Sequence, residues 1–179
     1  MQNRNQSGIK PQDILLLLKL IVVPGTPQKD LSQAIGISPG EISHGFQRLK
    51  NSKLLTDDGN ANIESCHEFL VHGLKYMMPP KFGPMTVGLP TSFAHPKFNF
   101  VRYDNKKNDF LVWPYAVGTK RGTALIPIYP TLVKACADDP KLYYIAALVE
   151  MLRVGRVREQ KAAEEELNKY MRGPFETKS

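Results

Sequence analysis

The chain has 179 residues, 42% hydrophobic and 23% charged, ordinary globular usage that excludes a disordered or collagen-like polymer. The net charge of +7 points toward polyanionic partners, yet residues 1–75 hold 8 basic and 7 acidic side chains against 16 and 10 in residues 76–179, so the first half is nearly neutral. Two cysteines, Cys66 and Cys136, are too few for a disulfide framework or a cysteine-rich zinc site, and the longest apolar run, Ile14 to Val23, is about half a bilayer span. No membrane association and a cytoplasmic location are therefore expected.

In chain order, residues 1–9 read as a disordered tail. Pro11 suits the first turn of a helix, with Leu15, Leu18 and Val22 as a stripe that Ile14 and Ile21 widen, stopped at Pro24-Gly25. Thr26-Pro27 reads as a cap and first residue of a second helix with Leu31, Ala34 and Ile35 inward, and Gly36 ends it through a positive φ. Ile37 plugs the turn. Ser38-Pro39-Gly40-Glu41 reads as a capping box opening a third helix, with Ile42, Phe46 and Leu49 on its buried face. Leu54-Leu55 is expected as a strand before the turn Asp57-Asp58-Gly59-Asn60. Asn62 then caps a fourth helix with Ile63, Cys66, Phe69, Leu70, Leu74 and Met77 on one face, which Pro79-Pro80 ends.

Residues 79–129 form a proline-rich stretch whose large apolar groups predict an irregular segment packed across another surface, followed by a β-hairpin. Phe98–Tyr103 reads as a short strand closed by the turn Asp104–Asp109. Phe110–Trp113 and Thr123–Ile128 are the expected hairpin strands around Gly118-Thr119-Lys120-Arg121-Gly122. Residues 130–172 are helical: a short helix at Thr131–Ala137, one opened by Asp138-Asp139-Pro140 with a Leu142, Ile145, Leu148, Val149 and Leu152 stripe, a break at Gly155, and a polar helix with Val157, Ala163, Leu167 and Tyr170 on its thin apolar side. Residues 173–179 form a tail. The fold class expected is mainly α with a small β component.

Three short helices in this order, with a glycine turn between the second and third, form a helix-turn-helix pattern over residues 10–78. The run Leu31-x-x-Ala34-Ile35-Gly36-Ile37-Ser38-x-x-x-Ile42-x-x-x-Phe46-x-x-Leu49, with Lys53-Leu54-Leu55 after it, resembles the winged helix-turn-helix domains of bacterial MarR-like transcriptional regulators over about a third of the chain. The resemblance implies a sequence-specific double-stranded DNA-binding regulator, with a C-terminal α+β and helical region for dimerisation or a protein partner. It makes Gly40, Ser43, His44 and Gln47 the base-reading face, Gln47 as a bidentate reader of adenine, and Lys29, Arg48, Lys50 and Lys53 the phosphate contacts. In place of a basic wing stands Thr56-Asp57-Asp58-Gly59-Asn60, whose carboxylates would repel phosphates.

Lys120 and Arg121 at the expected hairpin tip have two readings, a displaced wing against DNA or an ordinary solvated turn. Leu142, Tyr144, Leu148, Met151 and Leu152 supply either a homodimer interface or cover within the monomer. No catalytic residues, cofactor or metal can be nominated: His67 and His72 are five apart and diverge on a helix, and no phosphate loop, dinucleotide fingerprint or nucleophile elbow occurs. The rival reading is a protein-interaction module, antitoxin-like or an assembly subunit, on the same scaffold.

Overall fold

The computed structural model describes residues 8–101 and 110–173. Helix α1 (Pro11–Val22) starts at Pro11, where the Lys10 backbone N–H donates to the Asp13 carboxylate at 2.8 Å. Ile14 through Leu18 and Leu20 are each at most 2% exposed, so α1 is buried around its circumference instead of along one stripe, as befits a helix packed on two sides. One side meets α2 (Gln28–Ile35) and α3 (Pro39–Asn51), and another meets a helix near the C-terminus, Pro140–Val154.

Helix α2 begins one residue later than Thr26-Pro27 predicts. Pro27 occupies the cap position, and Thr26 Oγ1 donates to the Val23 carbonyl. Leu31 and Ile35 are buried, whereas Ala34 is exposed. Gly36 ends the helix at φ 65°, and Ile37 fills the turn at 4% exposure. At the start of α3, Ser38 Oγ accepts from the Glu41 N–H at 3.3 Å. Only this half of the expected capping box forms, because the Glu41 carboxylate accepts from Gln12 and Arg48 instead.

After α3 no strand forms at Leu54-Leu55. The chain makes one isolated bridge, Leu55 to Ala61, around the acidic turn. Asn62 caps α4 (Ile63–Glu68) by accepting from the Ser65 N–H. The expected single helix then widens into a π-helical turn at Phe69–Gly73 and closes as α5 (Leu74–Met77). That wider turn buries Val71 within itself and shifts the phase of the residues after it, so Met77, predicted inward, is 47% exposed.

The proline-rich segment contains a regular element. Phe82–Pro90 is strand β1, pairing antiparallel with both β2 (Leu111–Pro114) and β3 (Lys120–Leu125). Pro84 lies where the register shifts between Phe82 and Met85, a bulge that needs no ladder N–H, and Pro90 and Pro114 end their strands. β2 and β3 do not form the expected hairpin: they pair in parallel, Leu111 with Thr123 and Val112 with Ala124. So short a link suffices because β3 first runs along β1, with Lys120 opposite Gly88 and Arg121 opposite Val87, before meeting β2. The three strands close into a small barrel. Gly88 is required at its crossing: a Cβ there would stand 2.1 Å from the Trp113 carbonyl oxygen. Of the expected strand Phe98–Tyr103, residues 98–101 are not extended in a sheet; Tyr103 and the turn Asp104–Asp109 lie outside the described residues, as do most of the two predicted tails.

Helices α6 (Leu132–Asp138), α7 (Pro140–Val154) and α8 (Val157–Arg172) complete the fold. Asp139 caps α7, accepting from the Lys141 and Leu142 N–H groups, and its other oxygen receives Lys19 Nζ of α1 at 2.6 Å. Val157, expected on the apolar side of α8, is 82% exposed, while Ala163 and Leu167 are fully buried. The expected dimer face is overturned. Leu142, Leu148 and Met151 are 0% and Leu152 is 3% exposed, because α1, α5, α6 and α8 surround α7 within the chain. Tyr144 is half-buried, donating to Glu166 at 2.9 Å and stacking on Tyr170. The hydrophobic core runs unbroken from Ile14 to Leu167, so the three-helix unit and the rest of the molecule share it.

Candidate nucleic-acid interface

The inner face of α3 is fixed by apolar burial and one ion-pair cluster. Ile42 and Leu49 are 0% and Phe46 is 8% exposed. Gly45 lets α1 approach closely, since a Cβ there would lie 2.9 Å from Leu16 Cδ2. Arg48, expected on phosphate, belongs to this inner face. Its Nε and Nη2 donate to the two oxygens of Asp13, each at 2.7 Å, and Nη2 also donates to Glu41 at 2.5 Å. The Arg48 side chain is 2% exposed and cannot reach DNA. The Asp13 hydrogen bonds above all raise its pKa beyond the usual guanidinium range, against desolvation. Burial works to raise the Glu41 pKa, but hydrogen bonds from Arg48 and Gln12 hold it below the ordinary value.

The outer face is different in kind. Gly40, Ser43, His44 and Gln47 are all exposed. The Ser43 and Gln47 side chains make no hydrogen bond among the described residues, and His44 stands 3.9 Å from Glu41 with its side chain 65% exposed. These four positions follow the i, i+3, i+4, i+7 spacing of one helix face. Lys29 on α2 and Lys53 just after α3 are exposed, Lys53 in the left-handed region at φ 60°. Lys50 is half-buried, and its Nζ donates to the Asp57 carbonyl at 2.8 Å. It is drawn onto the acidic turn, where Asp58 accepts from Thr56 and Asn60; the Thr56 hydrogen bond first, then that of Asn60, depresses its pKa.

Lys120 and Arg121 sit at no loop tip. They are exposed side chains of a paired strand, which removes the displaced-wing geometry as well as the solvated turn.

Both cysteines and His95 are turned inward. Burial pushes the Cys66 thiol up to about 12 and the Cys136 thiol higher still, which disfavours thiolate. Burial, with Lys97 adding to it, pulls the His95 pKa down to about 4. His95 Nδ1 accepts from the Lys97 N–H at 3.2 Å, and its buried Nε2 has no hydrogen-bond partner among the described residues. Among the described residues no helix is long and apolar enough to cross a membrane.

Sequence reasoning passes over Asp13, Trp113 and Glu150, and it reads Arg153 with Arg156, Arg158 and Lys161 as a solvated basic face, whereas the Arg153 side chain is 3% exposed. The signal for Asp13 is legible: a carboxylate directly before an unbroken Ile-Leu-Leu-Leu-Leu run has to find a cation. Comparison with protein families, with characterised proteins and with solved structures gives no match to this chain.

Proposed function

We propose that the chain is a sequence-specific double-stranded DNA-binding regulator that acts by occupying an operator, with α2 and α3 as a helix-turn-helix and α3 as its reading helix. The observation that carries this reading is the outer ridge of α3. Four exposed small or polar residues, with no internal hydrogen bonds from Ser43 or Gln47, stand on a helix whose other face is locked to α1 by Arg48. A ridge of that width fits a major groove about 12 Å wide. Gln47 supplies the base contact, and Lys29, Lys53 and the rim residue Lys50 supply phosphate contacts. The isolated Leu55–Ala61 bridge stands where a wing would be, reduced to its root. A second copy on a palindromic operator has to be held by residues outside the buried face of α7.

Selection of duplexes from a random pool, followed by fluorescence anisotropy at two salt concentrations, tests the reading. The expected result is salt-sensitive binding to a selected sequence, weakened by about 1–3 kcal/mol in Gln47→Ala with little change on random DNA. Equal loss on both DNAs, or no enrichment of any sequence, sinks it. One observation favours the alternative, a protein-interaction module: with Arg48 internal and Lys50 bonded to Asp57, the freely placed cations beside the ridge reduce to Lys29 and Lys53. In that case the ridge variants leave DNA affinity unchanged and lose a protein partner.

A further inference from the structure

A cleft of about 450 Å3 opens where the end of α5, the start of β1 and the segment after β3 meet the first residue of α1. That volume lies within the range of small-molecule sites. Its walls include Pro11, Met77, Ile126 and Ile128, and its cations are Lys81 and Arg153. Met77 and Ile126 are 47% and 43% exposed, large apolar groups left open to solvent on a concave surface.

Arg153 makes this cleft more than an apolar dent. Its side chain is 3% exposed. Nε donates to the Met78 carbonyl at 2.9 Å and Nη1 donates to Glu150 at 2.5 Å. Nη2 makes no hydrogen bond among the described residues and is not one of their fully buried unpaired polar atoms, so it keeps access to solvent where Arg153 lines the cleft. Glu150 is 1% exposed, and its other oxygen accepts from Trp113 Nε1 at 3.2 Å. The carboxylates of α7 and α1, which line the cleft, are already engaged, Glu150 by Arg153 and Trp113 and Asp13 by Arg48. Residues 69–101 and 110–137 contain Lys75, Lys81, Lys97, Lys120, Arg121 and Lys134, and no Asp or Glu.

We propose that this cleft binds a small amphipathic monocarboxylate, one acid group on an apolar body. One carboxylate oxygen accepts from Arg153 Nη2 and the group is neutralised by Lys81, while the body lies against Met77 and Ile126. A single negative charge fits because the Glu150 charge already balances that of Arg153 and leaves one cation over; a phosphate dianion would find too few donors. The site is independent of the DNA reading, and neither falls with the other.

Trp113 is the single tryptophan of the chain and is one hydrogen bond from the partner of Arg153, so its fluorescence reports on the site. Titration of the full chain with hexanoate is expected to give a saturable change, with a parallel rise in the thermal unfolding midpoint. Hexanol should bind about tenfold more weakly, the equivalent of one lost charged contact. Lys81→Gln should weaken hexanoate several-fold. Met77→Asp, a change at an exposed position that puts a carboxylate in the cleft, should abolish hexanoate binding without lowering the midpoint of the unliganded protein. Equal affinity for acid and alcohol, an unaltered titration in Met77→Asp, or no saturable response in either readout overturns the proposal.

Discussion

Two arginines, one in each half of the molecule, are buried beside carboxylates and end up in opposite situations. Arg48 in the three-helix unit faces two acids, and its three hydrogen bonds go to Asp13 and Glu41. Arg153 on α7 shares one acid with Trp113 and otherwise has a main-chain carbonyl. The carboxylates register the difference. Glu41 is held below its ordinary pKa even though burial opposes this, whereas burial pushes Glu150 up in spite of Arg153 and Trp113. The first cluster is closed and works as a clasp between α1 and α3. The second keeps a donor in reserve for whatever enters from outside. A basic residue on a helix is thus assigned to scaffold or to surface by how many acceptors the fold brings to it.

The sharpest way to break that contrast is to remove one acid from each cluster. Asp13→Ala leaves Arg48 in an apolar setting with Glu41 alone and should cost about 3–5 kcal/mol in urea unfolding. Glu150→Gln keeps an acceptor for Trp113 and leaves Arg153 its carbonyl and the opening beyond, so the expected loss is about 1–3 kcal/mol. Reversal of that order would mean the second cluster is the tighter one.

Acid should separate the two regions next. The folded pKa of His95 is about 4 against an ordinary 6.5. The fold favours its neutral form, and the stability this contributes is present above pH 6.5 and lost as the pH falls toward 4. Glu41, with a folded pKa below its ordinary 4.5, contributes fully above 4.5 and loses its part only as the pH falls through the lowered value. Hydrogen exchange at pH 7 and pH 5, rates corrected for pH, should show the 92–98 segment losing protection while α1 and α3 keep theirs; His95→Gln should flatten the difference. The smallest effect is expected at the seam between the regions. Thr131 Oγ1 donates to the Ile35 carbonyl at 2.6 Å, and Thr131→Val should lower stability by about 1 kcal/mol by thermal melting.

The helices of the first half were legible because their punctuation is local. Pro11, Ser38 and Asn62, and in the second half the Asp139-Pro140 pair, each mark a start through a side-chain acceptor or a ring that needs no distant partner. The ridge Gly40, Ser43, His44 and Gln47 followed from the same phase that buries Ile42, Phe46 and Leu49. What stayed hidden depends on partners far along the chain. Arg48 reads as a surface cation until Asp13, thirty-five residues earlier, is seen beneath it. β1 was obscured by Pro84, which a bulge accommodates, and its neighbours are non-local in both directions. The inward stripe of α7 gave no sign that every side would be covered, and the π turn at Phe69–Gly73 displaced Met77 from the face its spacing assigned.

The ring of three strands has one more effect. The pairings to the two flanks fall on different residues: in β1, Phe82, Met85 and Thr86 are in register with β3 alone, Leu89 and Pro90 with β2 alone, and Gly88 with both. The ring is thus closed at one crossing, and the outer half of β1 keeps a short singly paired stretch, which the bulge at Pro84 and the proline itself make a poor template for a further strand.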